Sequence, residues 1–323
     1  MKIESQSIWI ISKSLVTFFV VVAGGEIFAR FYLGLGTPPL SMTHPTIEYM
    51  YKPNQDVYRF GNHFLTNEYS MRSNSLSKYK VSLDEIRIMI FGDSVINGGS
   101  LTDQSELATT ILEDRLSVLL NTEIIVSNIS AGSWGPGNWL AYAKEYGFFD
   151  ADIVILVISS HDYIDNPNFF PLDKNTYPTQ QPTLALLEGL QRYLPRFLAT
   201  FLPLMEVQSP PPPKVNPVEI DKSLRDLTNF LLLAKQNSNS IFVFQHYENW
   251  ELNHVDTEGY RYIKTTCEQL GIIPQSLKPY FNKAIKDGSN PYRDMIHPNE
   301  LGQQIIAEVI FDKIQKTLQL EKK

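Results

Sequence analysis

The stretch Ile153-Val154-Ile155-Leu156-Val157-Ile158 constrains the fold more than any other, because it is apolar at every position. A strand with one wet face alternates apolar and polar residues, whereas an unbroken run fits a strand covered on both faces, as in the middle of a parallel sheet. A second run, Ile88-Met89-Ile90-Phe91, ends in Gly92-Asp93-Ser94 and is followed by Val95-Ile96-Asn97-Gly98-Gly99. It reads as the first strand of that sheet, from Arg87 to Phe91. Such a strand delivers Ser94 to the carboxyl edge, where ligands bind in open α/β sheets. Taken alone, Ser94 reads equally well as the cap of the next helix.

Helical patterns separate these runs. Asp103-Gln104-Ser105-Glu106 has capping-box spacing and leads into a face of Leu107, Ile111, Leu112, Leu116 and Leu119. A second strand is expected from Glu123 to Ser127 and a helix from Trp139 to Tyr146. Further on, a helix around Leu224 to Ala234, a strand from Ile241 to Phe244, a helix around Glu258 to Leu270 and a short strand at Gly271 to Pro274 are expected. The last helix is expected to begin after His297 with Pro298 as its first residue, burying Leu301, Ile305, Val309 and Ile310. Strands alternating with helices imply an α/β fold with right-handed crossovers.

The alternation pauses from Asn166 to Pro217, which is rich in proline (Pro210 to Pro213 stand in a row) and holds one very apolar helix. That helix carries Leu184, Leu187, Leu190, Leu194, Phe197, Leu198 and Phe201, with a kink expected at Pro195. It is expected as an insertion that covers or borders the site. An ordinary buried helix accounts for the pattern most simply; a lid or membrane-lying element is the alternative.

At 323 residues the chain suits one large domain with insertions, and 43% hydrophobic residues supply its core. A formal net charge of −7 without any basic block argues against nucleic acid as a partner. The single cysteine, Cys267, excludes an intrachain disulfide and any cysteine-built metal cluster, and its helical setting makes it a buried small hydrophobe. At the N-terminus, Ser14 to Gly25 is uncharged, preceded by Lys2 and Lys13 and followed by Glu26. Counted from Ile8 to Phe28, with Lys13 snorkelling, the segment is long enough to cross a membrane. An uncleaved signal-anchor is expected in preference to a signal cleaved near Ala23-Gly24-Gly25. Either places the remaining chain outside the cytoplasm, in the periplasm or at the cell surface. The expected organisation is an anchor over residues 1–30, an extension over 31–84 and the α/β domain over 85–323, with its insertion at about 166–217. Within the extension, Leu33 to Pro39 reads as a linker, and Val57 to Phe60 and His63 to Thr66 flank Gly61-Asn62 as a hairpin.

A serine hydroxyl is a poor nucleophile until a neighbouring base accepts its proton. Of the six histidines, His297 has the most suggestive setting, Tyr292-Arg293-Asp294-Met295-Ile296-His297-Pro298. Asp294 can accept the imidazole Nδ1–H and leave Nε2 facing Ser94, the logic of a catalytic triad. His246 follows a strand toward the same sheet edge, as a pocket residue or a rival base. Asp93, His161, Asp162, Asp165 and His297 could be read as a nitrogen-and-oxygen metal site, but none shows dedicated metal-ligand spacing. Neither metal nor cofactor is expected.

Phe91-Gly92-Asp93-Ser94 and Asp294-Met295-Ile296-His297-Pro298-Asn299 resemble the nucleophile and D-x-x-H blocks of the SGNH, or GDSL-type, hydrolases, over roughly Arg87 to Leu318 apart from the insertion. The resemblance implies a three-layer flavodoxin-like sandwich around a central parallel sheet, with Ser94 as nucleophile, His297 as base and Asp294 as its orienter. It also implies oxyanion donors: the Ser94 N–H, a glycine after the second strand and an asparagine after the third. For the glycine, Gly132 is the choice and Gly135 the reserve. At the third position the family's Gly-x-Asn-Asp is replaced by Ser159-Ser160-His161-Asp162, so His161 is expected to donate instead. Asp93, Asn97, Trp134, Asp162 and His246 are expected to border the substrate pocket. With its N-terminal segment, the chain is similar to a membrane-anchored bacterial branch of the family that is often linked to acylated surface polysaccharides. The implied activity is a serine esterase acting on O-acyl esters, O-acetyl above all, of a carbohydrate or small molecule. The alternatives are acyl transfer by the same triad and a catalytically silent, membrane-tethered saccharide-binding protein.

Overall fold

A computed structural model describes residues 2–82, 84–201 and 216–321; Pro210 to Pro213 of the insertion lie outside these. Helix α1 (Lys2–Ile27) runs on through a π-helical turn, Phe28–Tyr32. Its segment Ile11–Tyr32, 22 residues of mean hydropathy 1.6, is long and apolar enough to cross a membrane, a property shared by anchors and cleavable signals. The expected linker that follows is not slack. The Leu33 and Leu35 amides bond to the Phe28 and Ala29 carbonyls, Gly34 O accepts from the Phe60 amide, and the Gly36 amide donates to Glu188.

Two antiparallel hairpins come next. The first, β1 (Ser41–His44) with β2 (Glu48–Tyr51), was not anticipated; the second, β3 (Gln55–Arg59) with β4 (Asn62–Thr66), is the hairpin expected around Gly61-Asn62. Its turn residues Phe60 and Gly61 both have positive φ, 54° and 83°, as a tight two-residue hairpin turn requires.

The α/β domain is built from β5 (Ile86–Gly92), the short α2 (Ser94–Asn97), α3 (Ala108–Leu120), β6 (Ile124–Ser130), α4 (Pro136–Tyr146) and β7 (Ile153–Ser159). The insertion follows, with α5 (Ala185–Glu188) and α6 (Leu194–Phe201). The domain then resumes with α7 (Pro217–Gln236), β8 (Ser240–His246), α8 (Glu258–Gln269), β9 (Gln275–Ser276), α9 (Lys278–Lys286) and α10 (Glu300–Glu321). The strands pair in parallel in the order β6-β5-β7-β8-β9. Alternate side chains of the apolar runs enter opposite layers, which explains why every position is apolar. Met89, Phe91, Leu156 and Ile158 pack with Trp139, Phe230 and Ile263 of α4, α7 and α8. Ile88, Ile90, Ile155 and Val157 pack with Leu112, Leu116, Ile306 and Ile310 of α3 and α10. The expected three-layer sandwich around a parallel sheet is what forms.

Several boundaries differ. Pairing on the last strand falls at Gln275–Ser276 instead of Gly271 to Pro274, and α9 was not foreseen. Asp103 caps a short 3-10 turn, so α3 begins only at Ala108. Helix α10 starts at Glu300, because Pro298 bridges to Tyr292 and Asn299 accepts the Gly302 N–H as the cap. In the insertion, α5 and α6 are joined by a π-helical turn, Gly189–Tyr193. Pro195 has no N–H to donate and its ring crowds the carbonyl four residues back, so the turn widens where a kink was expected. The buried-helix reading of this element fails, for Leu187, Leu190, Leu194, Phe197 and Leu198 are all exposed.

Candidate active site

The carboxyl ends of β5, β6, β7 and β8 bring Ser94, Gly132, His161 and His246 toward one edge of the sheet, where such sheets bind ligands. Asp93 leaves β5 in extended geometry and caps α2, its Oδ1 accepting the Val95 amide at 2.8 Å. The capping role therefore belongs to Asp93, and the Ser94 hydroxyl is left to the cavity. As the first residue of α2, Ser94 also has no intrahelical acceptor for its own N–H. Two arginines pin the loop that follows. Buried Arg72 donates to the carbonyls of Asn97, Gly99 and Thr102, while Arg293 donates to Gly98 O at 3.3 Å and Thr102 Oγ1 at 2.6 Å.

His297 Nε2 lies 3.0 Å from Ser94 Oγ, and its Nδ1 lies 2.8 Å from Asp294 Oδ2. The other Asp294 oxygen accepts the Ile296 and His297 amides, each at 2.8 Å. Burial alone would raise the Asp294 carboxyl, but these amides and the imidazole hold it below its ordinary value, so it remains an anion able to orient the ring. The loop is fixed from outside by the Asn249 amide on Met295 O at 2.8 Å and by His246 Nε2 on Ile296 O at 2.9 Å.

Ser94 and His297 line a cavity of about 330 Å³ together with Gly132. Its other walls are aromatic and basic, with Tyr49, Tyr51, Tyr177, Tyr193, Arg59 and Arg192. None of these six stood out in the sequence. They come from the two hairpins and the insertion, and no local spacing marks them as neighbours of Ser94. Tyr49 donates its hydroxyl to Gly132 O, which fixes the peptide after β6. Gly135 is a turn residue: its amide donates to Asn138 Oδ1 at 2.9 Å, and a Cβ there would come within 2.4 Å of Asp165 O. It is thereby removed as the reserve oxyanion donor.

His161, the expected third oxyanion donor, is held among carboxyl groups. Its Nδ1 lies 3.1 Å from Glu248 Oε1, and its Nε2 lies 3.6 Å from both Asp93 Oδ2 and Asp162 Oδ1. Both nitrogens face carboxylates, and the residue is not on the cavity wall. Burial opposes its charge, yet Asp162, Asp93 and Glu248 together push the imidazolium up to about 12. Glu248 was missed by sequence reasoning, since it lies 87 residues from His161 and carries no motif. Burial and the charge of Asp93 push the Asp162 carboxyl well up, and its Oδ1 has no hydrogen-bond partner. Asp93, His161 and Asp162 offer one ligand atom each within 4.8 Å of one another, the grouping among the described residues that could hold a metal. The protonated ring already supplies the positive charge between these carboxyls.

The residues expected to border the pocket are instead its buried supports. Asp93 holds the start of α2 and accepts Ser159 Oγ at 2.9 Å. Asn97 donates to Ser130 O at 2.9 Å, tying α2 to β6. The Trp134 indole N–H bonds to Tyr49 O at 2.9 Å, and Asp162 accepts the Ser159 amide at 2.7 Å. His246 is fully buried, and burial pushes its pKa down to about 4, which keeps it a neutral donor to the carbonyl of Ile296. All five are buried because each satisfies a backbone or side-chain group that would otherwise be orphaned.

A family model described as GDSL-like lipase/acylhydrolase matches residues 88–310. No curated protein matches the chain. Among solved structures, it is similar to an α/β hydrolase enzyme from the metagenome of Lake Arreo, Spain, at 16% identity and a TM-score of 0.44, covering 73% of this chain and 97% of that one. It is also similar to an acetyl xylan esterase from Geobacillus stearothermophilus, at 15% identity and a TM-score of 0.46, covering 74% and 97%. A member of the lipolytic protein G-D-S-L family from Veillonella parvula matches at 12% identity and a TM-score of 0.41, covering 70% and 97%.

Proposed function

The chain belongs to the GDSL-like lipase/acylhydrolase family and is an enzyme that hydrolyses ester bonds, and we propose that Ser94 is its nucleophile. The observation that carries this reading is the continuous relay from Ser94 Oγ through His297 to Asp294, at 3.0 and 2.8 Å. Ser94 Oγ attacks the ester carbonyl as its proton passes to His297 Nε2, and Asp294 stabilises the imidazolium that forms. The oxyanion is met by the backbone N–H groups of Ser94 and Gly132, two donors that cost no reorganisation during the reaction. The imidazolium then gives its proton to the departing alkoxide, leaving an acyl-Ser94 ester. Water, deprotonated by the same Nε2, attacks this ester, and Ser94 recovers its proton from His297.

The substrate we propose is a short O-acyl ester, such as an O-acetyl group on a carbohydrate. The cavity is small, and four tyrosines present flat rings with polar tips, surfaces suited to the apolar faces and hydroxyls of a sugar. Helix α1 is proposed to remain as an uncleaved anchor with the catalytic domain outside the cytoplasm. Treating the protein with a serine-directed fluorophosphonate should label the wild type and leave Ser94→Ala unlabelled. Labelling retained in Ser94→Ala, or absent from a folded wild type, would overturn the nucleophile assignment. Acetate release from acetylated but not deacetylated polysaccharide is the expected product pattern.

A further inference from the structure

The helical part of the insertion is inside out. A helix on a soluble protein buries its apolar stripe and gives its charged face to water. Here Glu188 is buried, held by Arg59 at 2.6 and 3.0 Å and by the Gly36 amide at 2.7 Å, and Arg192 of the next turn reaches it at 3.4 Å. The opposite face, Leu187, Leu190, Leu194, Phe197 and Leu198, is 39–59% exposed. These residues recur at helical spacing and form one stripe rather than scattered surface leucines.

The start of this helix is fastened to α1. Glu26 near the end of α1 accepts the Ala185 and Leu186 amides at 3.0 and 2.9 Å, filling the place of an N-terminal cap. Leu186 packs at Gly25, and Ala185 shares a small core with Ala29 and Leu35. The flank of α1 is itself apolar and exposed, with Phe18, Phe19, Val21, Phe28 and Phe31 all more than half accessible. The two exposed apolar surfaces therefore meet at the end of the α/β domain to which α1 is fastened.

We propose that the insertion helix from Leu184 to Leu198 rests on the lipid bilayer beside α1, its leucine face in the acyl boundary and its Glu188 and Arg192 face toward the catalytic cavity. The occupant is lipid because the stripe continues a surface already suited to lipid, which is how interfacial amphipathic helices bind. Arg192 and Tyr193 of the same helix wall the cavity, so the site opens at the level of the membrane surface and meets its ester there. This rests on the reading of α1 as a retained anchor.

The test uses the full chain in phosphatidylethanolamine–phosphatidylglycerol vesicles, with a nitroxide placed in turn at Leu190→Cys, Phe197→Cys, Val20→Cys on α1 and Val118→Cys on the exposed side of α3. The native Cys267 is fully buried and stays unlabelled. Collisions with oxygen should exceed those with a water-soluble nickel chelate several-fold at positions 20, 190 and 197, and the ratio should invert at 118. If 190 and 197 behave like 118 while 20 stays lipid-like, the insertion faces water and the proposal is overturned with the anchor intact. If 20 also behaves like 118, the anchor reading falls and the proposal with it. Spectral broadening at 190 that vanishes on dilution with unlabelled chain would assign the face to a second copy of this protein and also overturn the proposal.

Discussion

Two histidines flank the turn after β5, and they are used in opposite ways. His297 reaches Ser94 and is held by one carboxylate, on a loop open to the cavity; His161 reaches Asp93, one residue earlier, and is enclosed by three carboxyl groups. One partner leaves a ring nitrogen free to exchange a proton with a hydroxyl. At His161, Nδ1 is bonded to Glu248 and two further carboxyl groups lie 3.6 Å from Nε2, an acidic surround that favours the charged ring. What separates a proton shuttle from a structural counter-ion is thus the number of acidic neighbours, more than the residue type or its distance along the chain from the nucleophile.

The comparison can be broken first at His297. Asp294→Asn should leave the fold intact but favour the wrong tautomer, lowering kcat toward simple esters by about 10⁴-fold. A loss under tenfold would mean that His297 needs no orienter. The second break is at His161. His161→Asn leaves Asp93 and Glu248 without their cation and should cost about 3 kcal/mol of stability at pH 7, read by urea denaturation. His161→Ala should spare kcat in the folded fraction, whereas removal of an oxyanion donor would lower it by about 10²-fold or more. The pH dependence sharpens this. An unfolded histidine titrates near 6.5 and the carboxyl groups push folded His161 up to about 12, so its stabilising contribution is complete below about pH 6.5 and drains as pH climbs. Wild type should therefore lose stability between pH 7 and 10, and His161→Asn should do so with a clearly shallower slope.

Smaller effects are expected at the supports. His246→Leu removes the donor to Ile296 O inside a buried site, an expected loss of about 1–3 kcal/mol in stability. It should also lower kcat by roughly tenfold as the Asp294–His297 loop loosens, an effect set by the same lost bond. The smallest change is expected for Asp162→Asn. Burial and the charge of Asp93 already raise this carboxyl, and the amide that replaces it can still accept the Ser159 N–H, so stability should move by less than about 1 kcal/mol. A large loss there would mean that Asp162 is an anion and that His161 balances three negative charges.

The architecture and the Ser94, Asp294 and His297 constellation were legible because their signals are local. An apolar run states that both faces are covered, and Asp294 lies three residues from His297, within reach on one loop. The surroundings of His161 were not legible. Reading it against the asparagine it replaces pointed to the cavity, but its environment is set by Glu248, brought from the far side of β8 by the sheet order. His246 misled for a related reason: a residue at the end of a strand can turn inward as easily as toward the mouth. The insertion misled through composition, since leucines at helical spacing are the same whether they face a core or a lipid. Only the burial of Glu188 against Arg59 shows which way the helix is turned.

The stem between α1 and the hairpins has a consequence for how the enzyme meets its substrate. Leu33, Leu35 and Gly36 are each bonded, to the π-helical turn that continues α1 or to the insertion, within a few residues of the end of α1. A flexible tether of even ten residues would let the domain sweep a hemisphere some 20 Å in radius; this junction allows no such excursion. If α1 is retained in a bilayer, as proposed above, the mouth of the cavity keeps one height and one tilt, and the search for an ester becomes two-dimensional. Turnover should then follow the surface density of ester groups at that height rather than their bulk concentration, and lengthening the stem would exchange this selectivity in depth for reach.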